Sequence, residues 1–240
     1  MRYLISISYD GSKFQGFQRL KENASVQKVI EDALTKINKA KVVIKGAGRT
    51  DRGVHALDQK AHFDLNINIT PEGLKKALNS LVKPYIYIND CKIVDENFHA
   101  RFCVKEKVYV YKINLGEYNP ILKDYVNQNV NNLDIKAMKK ASKVFLGVHN
   151  FKNFVSGERD NYDCIIYKIK FKVVNNILEI EFTGKSFYRY MVRNLVGALI
   201  EVGKHKINSE YLENMLENYD TVINLPTSDA CGLYLKQIKY

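Results

Sequence analysis

In the first half of the chain, segments whose apolar residues have the spacing of a strand are interspersed with segments that have the spacing of a helix. Residues 2–9 alternate between apolar and polar side chains, which predicts a β-strand. Apolar residues then recur at helical spacing after Ser25, a favourable N-cap, and predict a helix over 26–37. Further elements are predicted as strands at 41–46, 61–65 and 84–93, and as a helix beginning at Thr70-Pro71. The resulting order, β-α-β-β-α-β, is that of the ferredoxin-like fold.

The second half repeats this order. Its predicted elements are a strand at 106–115, a helix at 134–145, a hairpin of 164–174 and 177–183 across Asn175-Asn176, helices at 187–202 and 209–217, and a last strand at 232–239. We therefore predict an α+β protein of two ferredoxin-like halves, residues 1–104 and 105–240, with a central, mostly antiparallel sheet. No low-complexity linker separates the halves, so we expect a cleft between them to be the default ligand site.

Composition adds a preference for a polyanionic partner. The formal net charge is +11, which favours nucleic acid, although a general enrichment in Lys would also raise the charge. The four cysteines form no CxxC pair and the five histidines lack zinc-ligand spacing, so we predict no disulfide framework and no metal site. The N-terminus lacks a secretory apolar core, and arginines interrupt the apolar stretch near 187–203. We expect a soluble, cytoplasmic protein without membrane contact.

The segment 45–56, KGAGRTDRGVHA, gathers groups with chemical potential into one turn. Its glycines let a large ligand approach the backbone. Arg49 and Arg52 suit phosphate oxygens, and Asp51, the lone carboxylate among cations, should stay ionised as a nucleophile must. The segment lacks the third glycine of GxGxxG and the Lys-Ser/Thr of a P-loop, which excludes those nucleotide sites. On these residues alone, an Asx-turn in which Asp51 only stabilises its own loop stays open.

The segment 46–56 resembles the catalytic loop of the tRNA pseudouridine synthase A family, usually written GAGRTDAGVHA. Other family-like blocks follow in the family's order and cover nearly the whole chain: Tyr9-Asp10-Gly11 with Phe14, Gly16, Phe17 and Gln18; Phe98-His99-Ala100-Arg101-Phe102; Tyr109 and Tyr111; His149-Asn150-Phe151; 191–197; and 232–235. The departures are modest: Arg52 replaces the usual alanine, Phe17 replaces the usual tryptophan, and Cys231 precedes the last block. None affects the nucleophile, but Arg52 adds a cation that bears on RNA preference.

The resemblance implies a pseudouridine synthase fold and an enzyme that isomerises uridine at positions 38, 39 and 40 of the tRNA anticodon stem-loop. It also implies a homodimer with no cofactor and no metal. Asp51 is expected to be the nucleophile, attacking C1′ or C6, and Arg193 to pair with it. Tyr109 is expected to stack on the target base and to be able to accept its C5 proton. Arg49 is expected to contribute to catalysis by holding the nucleotide backbone, and the expected substrate-binding residues are Arg49, Arg52, Tyr109 and His55.

Two alternatives remain open from the sequence. One is a non-catalytic RNA-binding protein, because ferredoxin-like sheets with exposed aromatic residues bind single-stranded RNA. The absence of a basic-Gly-aromatic-Gly-aromatic run counts against it. The other is a paralogous pseudouridine synthase that acts on another RNA, from which the sequence does not distinguish this chain.

Overall fold

The structure is a computed structural model that describes residues 1–20, 24–128, 130, 132–218 and 225–240. The chain divides into two compact units. Unit 1 comprises Met1–Lys105 together with Tyr234–Tyr240, and unit 2 comprises Glu106–Leu233. No helix within the described ranges combines the length and the apolar character needed to cross a membrane.

Unit 1 is a four-stranded ferredoxin-like sheet with one added strand. Its elements are β1 Arg2–Tyr9, α1 Val26–Asn38, β2 Lys45–Gly46, β3 His55–Asp64, α2 Pro71–Val82 and β4 Ile86–Val94. β1 lies between β4 and β3, and β2 pairs with β3, all antiparallel. The last strand, β9 (Leu233–Lys239), runs parallel to β3 at His55 and Ala56. The order β4-β1-β3-β2 is the ferredoxin-like order that the sequence predicts.

Local capping explains where the two helices of unit 1 begin. The Ser25 hydroxyl accepts a hydrogen bond from the amide of Lys28 at 3.4 Å, and the Thr70 hydroxyl accepts one from Gly73 at 3.2 Å. Both caps satisfy amides that have no partner inside the helix. The helix starts predicted from Ser25 and from Thr70-Pro71 are therefore confirmed.

The strand predicted at 41–46 is wrong for most of its length, since only Lys45–Gly46 belongs to the sheet. The amide of Val42 donates to the Thr35 hydroxyl at 3.2 Å, and the amide of Ile44 donates to the Glu31 carboxylate at 3.1 Å. Side chains of α1 therefore take the amides that a neighbouring strand would otherwise bind. Val42 and Ile44 are buried as predicted, but they pack beside a helix.

Unit 2 is an antiparallel sheet with three helices. Its elements are β5 Glu106–Asn114, α3 Ile135–Ala141, β6 Gly147–Asn150, β7 Asp163–Val174, β8 Ile177–Gly184, α4 Met191–Gly203 and α5 Ser209–Glu217. β8 lies between β5 and β7, and β6 pairs with the start of β7. Asn175 and Asn176 have φ of 49° and 60°, the left-handed conformation of a tight hairpin turn. The predicted hairpin and the mostly antiparallel α+β class are confirmed.

Several elements differ from the prediction, among them β3, which was predicted at 61–65 and begins at His55. α4 begins at Met191, not at 187, because Tyr190 has a left-handed φ of 62° and ends the preceding loop. The four-residue strand β6 was not predicted. The last strand, assigned from sequence to the second half, lies mostly in unit 1. The cleft between the halves stays a prediction.

Candidate active site

The loop between β2 and β3, residues 47–54, is called the Asp51 loop. It presents Asp51 half-buried, with Arg49 and Arg52 exposed on either side of it. The amide of Val54 donates to the Asp51 carbonyl at 3.2 Å, which closes a turn around the carboxylate. A carboxylate and two accessible guanidiniums within four residues form a site that can hold a phosphate-bearing ligand beside a nucleophile.

The Asp51 loop rests on a buried polar anchor. The Thr50 hydroxyl is 2.7 Å from the Tyr9 hydroxyl, and the Thr50 carbonyl accepts the amide of Phe17 at 3.1 Å. The side-chain amide of Gln59 donates to the Gly48 carbonyl at 3.1 Å. Burial raises the pKa of Tyr9 to about 12, so its phenol is neutral at physiological pH. The residue next to Asp51 is thus fixed to the core of unit 1, which restricts where the carboxylate can move.

A close backbone approach fixes the far end of the Asp51 loop. A Cβ on Gly11 would lie 2.0 Å from the Val54 carbonyl oxygen, so only glycine fits there. The amide of Gly11 also donates to Nδ1 of His55 at 3.1 Å, and the His55 ring stacks on Tyr234 at 4.6 Å. These contacts tie the N-terminal Tyr-Asp-Gly block to the end of the Asp51 loop.

His55 is buried, with 2% of its surface exposed. The structure therefore places it in the support of the loop, and its predicted contact with substrate stays a prediction. Tyr109 lies on β5 of unit 2 and is also buried, with its ring edge against Phe187 at a centroid distance of 5.2 Å. Its predicted stacking on the target base stays a prediction.

Arg193, the third residue of α4, lies in a cradle formed inside unit 2. Its Nε donates to the Ser228 carbonyl at 2.7 Å, and its guanidinium carbon lies 4.9 Å from the centre of the Tyr190 ring. The amide of Ser228 donates back to the Arg193 carbonyl at 3.2 Å. A hydrogen bond and a cation–π contact together fix the direction of the guanidinium. The predicted pairing with Asp51 joins the two units and stays a prediction.

Gly197 makes this cradle possible. A Cβ at Gly197 would lie 1.8 Å from the Pro226 carbonyl oxygen, so a methyl group there would push residues 226–228 away from α4. The same segment is also tied to the helix by Thr227, whose hydroxyl donates to the Asn194 side chain at 2.7 Å. The position of the Ser228 carbonyl therefore depends on a glycine one helical turn beyond Arg193.

We expect Gly197→Ala to lower the free energy of unfolding by about 1–3 kcal/mol, because a backbone atom must move to admit the methyl group. Urea denaturation measures this. Gly203→Ala is the matched control in α4, since its added methyl meets the flexible side chain of Met138 at 2.8 Å. Equal losses in the two variants would contradict the role given to the Pro226 carbonyl.

The sequence pointed to the side chains that the site exposes, but it did not show which residues support them. Tyr9, Thr50 and Gln59 support the Asp51 loop, and Tyr190 and Ser228 support Arg193. Tyr9 had a usable signal, since it opens the N-terminal block. Among the described residues, no group of three or more His, Cys, Asp or Glu side chains is arranged to hold a metal ion.

Comparisons with known proteins bear on the whole chain. A family model described as tRNA pseudouridine synthase matches residues 5–103 and 141–240. A relative from Mycoplasma genitalium, named tRNA pseudouridine synthase A, is 36% identical over 240 residues, covering 100% of this chain and 98% of the relative. One of the same name from Thermotoga sp. (strain RQ2) is 39% identical over 244 residues, covering 100% and 99%.

A solved structure titled "Crystal Structure of a Cbf5-Nop10-Gar1 Complex" aligns with a TM-score of 0.36 and 11% identity, over 83% of this chain and 54% of that chain. This likeness is too weak to bear on fold or function. The family model covers both the Asp51 loop and α4, and the relatives align along the full length of this chain. The chain belongs to the tRNA pseudouridine synthase family.

Proposed function

We propose that this protein isomerises uridine to pseudouridine at positions 38, 39 and 40 of the tRNA anticodon stem-loop. The main observation in support of this proposal is the way in which the Asp51 loop is held and presents its carboxylate. The loop is anchored to the core by Tyr9–Thr50, and it presents a half-buried carboxylate between two exposed arginines. Family membership identifies the reaction class, and relatives named tRNA pseudouridine synthase A support tRNA as the substrate.

The reaction requires a nucleophile and controlled proton transfer. The N1–C1′ bond breaks, the uracil turns, and a C5–C1′ bond forms, while C5 loses a proton and N1 gains one. No electrons are exchanged with a second reactant. In this proposal the Asp51 carboxylate attacks either C1′ or C6 and is released when the new bond is complete.

Substrate residues follow from the same proposal. A uridine in a paired stem must be turned out of its helix, at a cost of about a few kcal/mol, which contacts to the base and phosphates offset. Arg49 and Arg52 hold the nucleotide backbone. Tyr109 stacks on the extruded base and can accept the C5 proton, and His55 contacts the substrate. Arg193 pairs with Asp51 and keeps it ionised.

The test is an assay of the purified protein on total tRNA that lacks the modification, with pseudouridine mapped by carbodiimide chemistry and primer extension. We expect new primer-extension stops immediately 3′ of uridines 38, 39 and 40. Stops at other tRNA positions, or only on another RNA, would indicate a paralogue of different specificity. Tight tRNA binding without any new stop would indicate a non-catalytic RNA-binding protein.

We also propose that the protein is a homodimer, as the family resemblance implies, and that it acts in the cytoplasm, as its similarity to bacterial tRNA pseudouridine synthases supports. Sedimentation equilibrium tests the oligomeric state, with an expected mass twice that of the 27.7 kDa chain. A single species at the monomer mass across the concentration range would contradict it.

A further inference from the structure

Exposed tyrosines and lysines lie around the start of β4 on unit 1. Tyr85 and Tyr87 are 48% and 45% exposed. The Lys13 ammonium lies 5.8 Å from the centre of the Tyr85 ring, and the Lys83 ammonium lies 5.9 Å from that of Tyr87. We call these four residues, together with Lys76, the Lys–Tyr surface. Leaving aromatic rings in contact with water is unfavourable. Two exposed rings, each with an ammonium group near it, therefore suggest a ligand that has both flat and anionic groups.

The charge of this surface is largely uncompensated. Within the described residues, no carboxylate oxygen lies within ion-pair distance of Lys13, Lys76 or Lys83, whereas Lys28 and Lys60 do have carboxylate partners at 2.7 and 2.6 Å. A groove of about 510 Å³ between α2 and β4 is lined by Lys75, Lys76, Lys83 and Tyr87, with Glu72 as its acidic member.

The backbone groups of β4 beside the groove already have hydrogen-bond partners on α2. The side chain of Asn79 bonds both the amide and the carbonyl of Ile88, at 2.8 and 3.0 Å, and the Lys75 ammonium donates to the Asn89 carbonyl at 2.6 Å. The outer edge of β4 is therefore occupied by α2 along this stretch. A peptide adding as a further strand would have to displace these bonds, which favours a ligand that uses side chains only.

The Lys–Tyr surface adjoins the Asp51 loop through a single turn. The amide of Asp10 donates to the Tyr85 carbonyl at 3.0 Å, and Gly11 packs directly against Val54. Lys13 ends the 3₁₀ turn that begins at Gly11. One turn thus contacts the surface on one side and the loop on the other, so a polymer held at Asp51 has this surface within its reach.

We propose that the Lys–Tyr surface is a second tRNA contact, which holds the RNA strand flanking the target nucleotide. The inference rests on the proposed function for the identity of the RNA. Lys13, Lys76 and Lys83 bind phosphates, and Tyr85 and Tyr87 pack against bases or riboses. Tyr85 directly precedes β4 and Tyr87 is the second residue of that strand, so their Cα atoms lie at most about 7 Å apart and the two rings offer neighbouring contacts.

The decisive experiment measures the affinity for an unmodified tRNA transcript as a function of salt. Lys13→Gln with Lys83→Gln removes two phosphate contacts, and we expect the slope of log K against log salt to fall in magnitude by roughly 1.4–1.8. Relative to 1 M salt, where such contacts contribute little, this corresponds at about 0.1 M salt to roughly 25- to 60-fold weaker binding. KM for tRNA should rise by more than kcat falls, since neither side chain is assigned to the reacting atoms.

Lys36→Gln with Lys41→Gln is the matched control. It removes the same charge from exposed positions of unit 1 at and beyond the C-terminal end of α1. The N-terminal end of α1 bonds the segment that contacts the Asp51 loop, since the amide of Gln27 donates to the Phe17 carbonyl and the amide of Phe17 donates to the Thr50 carbonyl. A 13-residue helix is about 20 Å long, which separates its C-terminal end from the loop. The control should leave the slope unchanged. Tyr85→Leu with Tyr87→Leu should weaken binding without changing the slope, because tyrosine carries no charge.

The outcomes separate this inference from the proposed function. If the wild-type protein makes pseudouridine in tRNA but the Lys13/Lys83 variant matches the control in affinity and slope, the Lys–Tyr surface is not an RNA contact and the function stands. If the wild-type protein makes no pseudouridine but its tRNA affinity depends on Lys13 and Lys83, the surface stands and the function fails.

Discussion

Asp51→Asn is expected to abolish pseudouridine formation, with a loss of at least roughly a thousandfold, while tRNA affinity stays within a few-fold of wild type. The amide keeps the size of the carboxylate and can still hydrogen-bond, but it cannot attack C1′ or C6. Because Thr50 and Val54 are held by contacts that do not involve the Asp51 side chain, the loop should keep its conformation. Single-turnover assays on a tRNA transcript measure the effect.

The control for this variant is Asp32→Asn, which removes a carboxylate from the same unit. Asp32 forms an exposed ion pair with Lys28 at 2.7 Å, and such pairs contribute about 0–1 kcal/mol to stability. Activity should be unchanged. If Asp51→Asn kept activity within tenfold of wild type, Asp51 would not be the nucleophile, and the Asx-turn interpretation of the loop would be preferred.

The parts of the fold that the sequence predicts are those with local causes. Ser25 and Thr70 bond amides three residues away, so the signal and its consequence lie within one turn of helix. Asn175-Asn176 likewise sets the turn it occupies. The prediction at 41–46 failed because the partners of Val42 and Ile44 are side chains on α1. β-branched residues favour a strand, but these two amides are bonded to side chains from another part of the chain, and this keeps the segment out of the sheet.

The residues of the candidate site likewise fall into those with a local sequence signal and those without one. Asp51, Arg49 and Arg52 lie within four residues of one another, so they stand out as a motif in the sequence and are candidates from it alone. The Arg193 cradle could not be predicted, because the Ser228 carbonyl is 35 residues away in sequence and any residue type supplies a carbonyl. Tyr190 is similarly hidden, since a left-handed φ at a tyrosine is uncommon. The groups proposed to react are visible in the sequence, whereas the groups that hold them in place depend on tertiary structure.

Arg193→Met is expected to lower kcat by about a hundredfold or more while changing tRNA affinity much less. The reason is the proposed pairing with Asp51. A guanidinium on the largely apolar helix α4 is costly unless it meets an anion, and among the residues of unit 2 that the structure describes its Nε donates to a neutral carbonyl. Methionine keeps most of the aliphatic length and removes the charge. The loss should therefore appear in the chemical step and leave the phosphate contacts intact.

The pH–rate profile distinguishes this role from a purely structural one. Removing a cation beside a carboxylate favours its protonated form, so the acid limb of the Arg193→Met profile should move to higher pH. Arg193→Lys should recover only part of the activity, because an ammonium cannot make the bidentate contact that a guanidinium makes. Arg189→Met is the matched control, since the guanidinium carbon of Arg189 also lies close to the Tyr190 ring, 5.0 Å from its centre. It should leave the acid limb in place. An unshifted acid limb in Arg193→Met, with the same loss of activity as Arg189→Met, would show that Arg193 supports the fold of α4 and that another cation keeps Asp51 ionised.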